Sequence, residues 1–174
     1  MRRVWLDDMV GTTRSTQRSG FARTGVRPPM NDTSEIRETI ERFHDAVNQR
    51  NPQAIGGLFT ADGVWEVAPP FEHRFSGNEA IAAGIAGTIG RIVVLVQMCA
   101  PIVIERIDAC HAKARTSMQE WGRFEDGSSM HVAGTYFDEL VKTGDGRWRF
   151  THRRFVAHYA DTEPMPGTVF PVGR

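Results

Sequence analysis

The residues whose types and spacing could do chemistry lie mostly in the last third of the chain. Gly144-Asp145-Gly146 is a turn signal between two strand-like runs and suits a three-residue hairpin loop. With that loop Thr143 pairs with Arg147, Leu140 lies opposite Phe150, and Asp138 lies opposite His152. Tyr136 shares their face because side chains alternate along a strand. In the preceding strand Ala112, Ala114, Thr116 and Met118 form the smaller, more apolar set, and Glu120 continues their parity. On the first helix His44 and Asn48 stand one turn apart beside the apolar stripe from Ile40 to Val47. A carboxylate facing an imidazole away from bulk water is a general acid–base pair whose pKa values respond to burial and to each other. Proton abstraction beside a carbonyl, β-elimination and double-bond migration all run on such a pair without a metal. Asp138 and His152 are therefore the expected base, with Tyr136, Glu120 or His44 donating or orienting. Two plainer readings stand beside this one: a satisfied structural Asp–His contact, and a Glu120 that anchors Arg123, Arg153 or Arg154.

Other chemistries find no support in the residues. The six histidines show no HxxxH or HExxH spacing, and Cys99 and Cys110 form no zinc-like set with them. Asp161 and Glu163 share a terminal segment with Pro164 and Pro166 that reads as a strap or a tail rather than a metal site. There is no GxGxxG, GxxxxGK[ST] or GxSxG, so neither metal nor cofactor is expected. Acidic and basic side chains cancel at 21 each, which offers no field for nucleic acid or an anionic membrane. No apolar run approaches the roughly 18–20 residues of a membrane span. With Cys99 read as a buried free thiol, a cytoplasmic protein is expected.

The elements that must position these groups follow from periodicity. Residues 1–30 carry six Arg against two Asp and no readable period, so they are expected to be a solvated extension. The folded domain is expected over 31–161, with 162–174 as a tail. Asp32 with Glu35 resembles a capping box, and Ile36, Ile40, Phe43 and Val47 recur at helical spacing to about Arg50. Asn51-Pro52 opens a second helix, expected to use Ile55, Leu58 and Phe59 and to end at Asp62-Gly63. A short strand is read at 64–68, and Ile81, Ile85 and Ile89 stripe a third helix. From Ile92 onward four strands follow, over 92–105, 111–124, 130–142 and 147–159. Helices followed by a meander predict an α+β fold with the helices on one face of a curved antiparallel sheet. The first long strand is apolar on both faces, which calls for a cover on its outer side; a second copy, giving a homodimer, is the simplest.

Three stretches together resemble the SnoaL-like branch of the nuclear transport factor 2-like (NTF2-like) superfamily. They are Phe43-His-Asp-Ala-Val-Asn-Gln-Arg-Asn51, Leu58-Phe-Thr-Ala-Asp-Gly-Val-Trp65, and Gly134-Thr-Tyr-Phe-Asp-Glu-Leu-Val141 with Gly146-Arg-Trp-Arg-Phe150. The resemblance implies a cone of three helices on a curved sheet, with a pocket for a small apolar molecule inside it. Asn48, Phe43, Val47, Trp65, Met118, Trp148 and Phe150 would line that pocket. Dehydratases and dehydrochlorinases of this fold place an Asp near the end of the first helix, where this chain has Asn48, and its partner His falls near Leu95 or Val96. Ketosteroid isomerases carry a Tyr where this chain has Phe43 and a base Asp where it has Val67, while their second Asp lands on Asp138. The Arg-x-Asp pair of epoxide hydrolases is mimicked by Glu105-Arg-Ile-Asp108, one strand too early, since the equivalent strand reads Met118-Gln-Glu-Trp121. No known mechanism of the fold transfers intact. The expected function is a cofactor-free lyase or isomerase acting on a small carbonyl or cyclic compound. The alternative is a non-catalytic binding or assembly module, including the small subunit of a ring-hydroxylating oxygenase.

Overall fold

The structure is a computed structural model that describes residues 31–170. The expected extension over 1–30 lies outside the described residues.

Three helices pack on a six-stranded curved sheet. In chain order the elements are α1 (Asp32–Asn48), α2 (Pro52–Gly56), β1 (Phe59–Val67), β2 (His73–Ser76), α3 (Asn78–Ile89), β3 (Ile92–Arg106), β4 (His111–Phe124), β5 (Ser129–Lys142) and β6 (Trp148–Asp161). The strand order is β2-β1-β6-β5-β4-β3. All pairings are antiparallel except β1 with β6, so the sheet is mixed rather than purely antiparallel.

The first helix starts one residue earlier than its capping-box reading. Asn31 is the N-cap, and its side chain accepts from the Ser34 N–H at 2.8 Å. That frees Asp32 for a different task. Its carboxylate accepts from Lys142 Nζ at 2.7 Å, Arg106 at 2.9 Å and Trp148 Nε1 at 3.3 Å, tying the helix to three strands.

The second helix is much shorter than its pattern suggested. It ends at Gly56, with Gly57 as its C-cap, and Gly56 packs so closely on α3 that a Cβ there would lie 2.6 Å from the Asn78 carbonyl oxygen. Leu58 and Phe59 are therefore not a helical face. Phe59 begins β1 and pairs with Phe150, and the two rings lie 5.1 Å apart in the core. β1 then leaves the ladder and rejoins it at Val64 opposite His152.

The inner face of the sheet and the apolar stripes of α1 and α3 enclose the core, with Ile36, Ile40, Phe43, Ile81 and Phe150 almost fully buried. Cys99 is exposed rather than buried, and beyond it β3 shifts register against β4 before Ile102. No helix among the described residues is long and apolar enough to cross a membrane.

Gly134 marks the tightest packing on β5. A Cβ there would lie 2.3 Å from the Val156 carbonyl oxygen and 2.5 Å from the Phe155 ring. Gly134→Ala is expected to lower stability by about 2–3 kcal/mol or more through overpacking against backbone. A urea titration checks this, and an unchanged midpoint would contradict the close approach.

Candidate functional site

Hairpin geometry decides which groups meet inside the cone. Leu140 does lie opposite Phe150, as the turn chemistry requires. One step further the register slips: Glu139 pairs with His152 and Asp138 pairs with Arg153. Thr151 is the extra residue, its hydroxyl donating to the Glu139 carbonyl at 3.2 Å. A bulge of one residue reverses which face every later side chain takes. The expected Asp138–His152 pair therefore does not form. His152 stands on the outer face, 3.4 Å from the Glu66 carboxylate, while Arg153 turns inward.

Arg153 is the fully buried centre of the cone. One guanidinium nitrogen donates to Asp138 Oδ2 at 3.0 Å, and another donates to His44 Nε2 at 3.1 Å. The guanidinium carbon sits 3.9 Å from the Tyr136 ring centroid, 4.3 Å from that of Phe43 and 4.7 Å from that of Phe150. Aromatic faces thus take the place of water around a cation.

A directed chain of hydrogen bonds leaves this centre. Because a guanidinium can only donate, His44 Nε2 must be the acceptor, which places the ring proton on Nδ1. That proton goes to Gln97 Oε1 at 2.5 Å, and Gln97 Nε2 in turn donates to Glu120 Oε2 at 2.6 Å. Burial and the Arg153 charge push His44 down to about 3, so the imidazole stays neutral. Burial pushes Asp138 up to about 6, with Arg153 pulling it back down. Burial also raises Glu120, against the lowering effect of its Gln97 hydrogen bond. Tyr136 is pushed up to about 12, chiefly by burial. Asp138, Arg153, His44 and Gln97 are buried, and Glu120 is the half-buried end of the chain.

Of the expected site residues, the cone brings together Asp138, Tyr136, Glu120 and His44 and leaves out His152. Among the described residues Glu120 forms no ion pair with an arginine; it accepts from Gln97 instead. Phe43, Val47, Trp65, Met118 and Phe150 are buried inside, while Trp148 is held at the far end by its bond to Asp32. Asn48 faces Gln97 rather than Leu95 or Val96: its amide donates to the Gln97 carbonyl at 2.9 Å and accepts from the Gln97 N–H at 2.7 Å. Gln97 was missed in the sequence, and Arg153 was considered only as one of three arginines that Glu120 could anchor. A Gln inside the apolar run Val93–Cys99 was the available signal for the first, and nothing local signalled the bulge that turns the second inward. Among the described residues no three His, Cys, Asp or Glu side chains converge as metal ligands.

A family model for the SnoaL-like domain matches residues 28–154. The chain belongs to the SnoaL-like domain family. The fold is that of NTF2-like proteins. A candidate scytalone dehydratase from Novosphingobium aromaticivorans is 21% identical, with 82% of this chain and 94% of that one covered and a TM-score of 0.68. The hexachlorocyclohexane dehydrochlorinase LinA-type3 from Novosphingobium barchaimii is 17% identical over 81% of this chain and 94% of its own, also at 0.68. Kfla4162 from Kribbella flavida is 19% identical over 75% and 93%, at 0.67. At these identities the likeness is one of fold. No curated protein sequence matches the chain.

The buried groups of this SnoaL-like domain make opposite demands on pH. His44 stays neutral when folded, so below its ordinary 6.5 the unfolded chain binds a proton the folded one refuses. Stability is lost from 6.5 down to about 3, at most about 5 kcal/mol. Asp138 and Glu120 have raised folded pKa values, so they add stability as pH falls through those values. His44→Gln removes only the losing side. Relative to wild type, its urea midpoint is expected to rise on going from pH 7 to pH 5. A difference that stays constant with pH would contradict the neutral, buried imidazole.

Proposed function

We propose that this SnoaL-like domain holds a small, largely apolar carbonyl or cyclic compound in its cone and that Glu120 moves a proton on it without a cofactor, as lyases and isomerases do. The observation that carries this reading is that the buried hydrogen-bond chain ends on a half-buried carboxyl group whose pKa burial raises. Such a group is a better base toward a C–H beside a carbonyl than a solvated carboxylate, and it keeps the proton it takes for the return step. In the forward step the proton passes from carbon to the Glu120 carboxylate while the electron pair enters the carbonyl. Protonation at the same or a neighbouring carbon then completes exchange or double-bond migration, and loss of a β-substituent completes an elimination.

Met118 lies two residues from Glu120 on the same strand face, and with Trp65 and Asn48 it supplies the contact surface for the ligand. His44 acts through Gln97 as a positioning residue, as do Asp138 and Tyr136 through Arg153. Eliminations are also what the names of two structural neighbours denote, a dehydratase and a dehydrochlorinase.

A second reading, a binding module without chemistry, is favoured by Asn48 facing Gln97. At that position the resemblance implies an Asp with a partner His for dehydratases and dehydrochlorinases of the fold, and an amide is neither a general acid nor a general base near neutral pH.

The two readings part in heavy water. With a panel of cyclic ketones, tryptophan fluorescence reports binding and proton NMR reports loss of the α-C–H signal. The enzyme reading expects exchange to be accelerated, and Glu120→Gln to slow it about 10²–10⁴-fold while binding persists. Binding without accelerated exchange would leave the second reading, and failure to bind any member would count against both.

A further inference from the structure

Among the described residues β3 is an edge strand, paired with β4 on one side and with no strand on the other. An edge leaves backbone N–H and C=O groups pointing away from the sheet without a ladder partner. At Gln97 the helix α1 supplies one. The Asn48 amide donates to the Gln97 carbonyl at 2.9 Å and accepts from the Gln97 N–H at 2.7 Å, the reciprocal exchange that a neighbouring strand would make. With those groups turned outward, Gln97 and Glu120 face each other as a pair without backbone hydrogen bonds, the kind that brings side chains closest. The Gln97 amide is then held from two directions: Oε1 accepts from His44 Nδ1 at 2.5 Å, and Nε2 donates to Glu120 Oε2 at 2.6 Å. His44 and Asn48 lie four residues apart on α1, so one helix face grips Gln97 by its backbone and by its side chain.

We infer that Asn48 is a positioning residue for Glu120, acting through Gln97, and that this position requires an amide rather than a carboxylate. The inference rests on the reading of Glu120 as the group that moves the proton. Only an amide both donates to a carbonyl and accepts from an N–H of the same residue; an ionised carboxylate accepts only. Asp at this position would set a negative oxygen against the Gln97 carbonyl, and Ala would leave both backbone groups of Gln97 without their partner. Either change frees β3 to shift at Gln97, and the Nε2–H then loses its aim at Glu120. Burial raises the Glu120 carboxyl group and the Gln97 hydrogen bond pulls it back down. The other titratable groups of the cone are already settled. Tyr136 on β5 feels the Glu120 charge but keeps its proton, His44 on α1 stays neutral, and Arg153 on β6 is paired with Asp138 on β5.

The test titrates Glu120 in the full chain by carbon NMR of labelled glutamate carboxyl groups, its signal being the one that Glu120→Gln removes. Asn48→Ala and Gln97→Leu are each expected to raise the Glu120 midpoint above that of wild type, with an unchanged circular-dichroism spectrum. Adding Asn48→Ala to Gln97→Leu is expected to raise it no further, because the two residues act on Glu120 in series. In heavy water Asn48→Asp is expected to exchange the α-C–H of a cyclic ketone about 10²-fold more slowly than wild type, since a carboxylate there restores no base and misplaces the existing one. An Asn48→Ala midpoint equal to that of wild type, rises that add in the double variant, or an Asn48→Asp protein that exchanges as fast as wild type would each overturn the inference. A wild type that accelerates no exchange would instead count against Glu120 as the proton-moving group, and the titration, which needs no turnover, would still decide whether Asn48 positions it.

Discussion

A guanidinium that gives up all contact with water must recover its hydration from the protein, and only a few arrangements do so. Arg153 finds a carboxylate, an imidazole lone pair and three aromatic faces on α1, β5 and its own strand β6. The carboxylate alone would not suffice, because removing two charges from water can cost more than their attraction returns. The rings of Tyr136, Phe43 and Phe150 supply the rest, and they are also the core of the domain. The ion pair and the hydrophobic core are therefore one object, and the positions of α1, β5 and β6 are fixed together by it.

The same cation sets the direction of everything attached to it. A donor that can never accept forces the His44 tautomer, His44 then orients the Gln97 amide, and the amide presents its N–H to Glu120. Each member is buried except the last. The chemistry available to a ligand is thereby moved away from the fully buried Asp138 centre, where Asp138 Oδ1 and Arg153 Nε have no hydrogen-bond partner, and toward the carboxyl group at the end of the chain. The NTF2-like cone carries many activities, so fold alone decides nothing about this one. Inside the fold this chain places Asn48 against Gln97 and an arginine at the core.

Sequence reading went far on elements and inner faces because those depend on period and turn chemistry. The inward parity of Tyr136, Asp138, Glu120 and Phe150 needed only alternation. It failed at His152 because a bulge costs one residue and leaves no compositional mark; Thr151 is an ordinary strand residue. The α2–β1 boundary failed because Leu58 and Phe59 continue a helical period, while in the fold Phe59 begins β1 and pairs with Phe150 on β6. The parallel pairing of β1 with β6 joins residues some ninety positions apart, which no local pattern encodes. Gln97 was visible as a polar residue in an apolar run, but its partners lie on α1 and β4, and only the assembled cone brings them together.

The most direct test of the central place of Arg153 is a double-mutant cycle with Asp138, read by urea unfolding at pH 7. Arg153→Met leaves the Asp138 carboxylate buried without its cation and should cost about 3–5 kcal/mol. Asp138→Leu strands the guanidinium and should cost a similar amount. With both replaced, no buried charge is left unpaired, so the double variant should be more stable than the sum of the single losses predicts by about 2 kcal/mol or more. Strict additivity of the two losses would contradict the account.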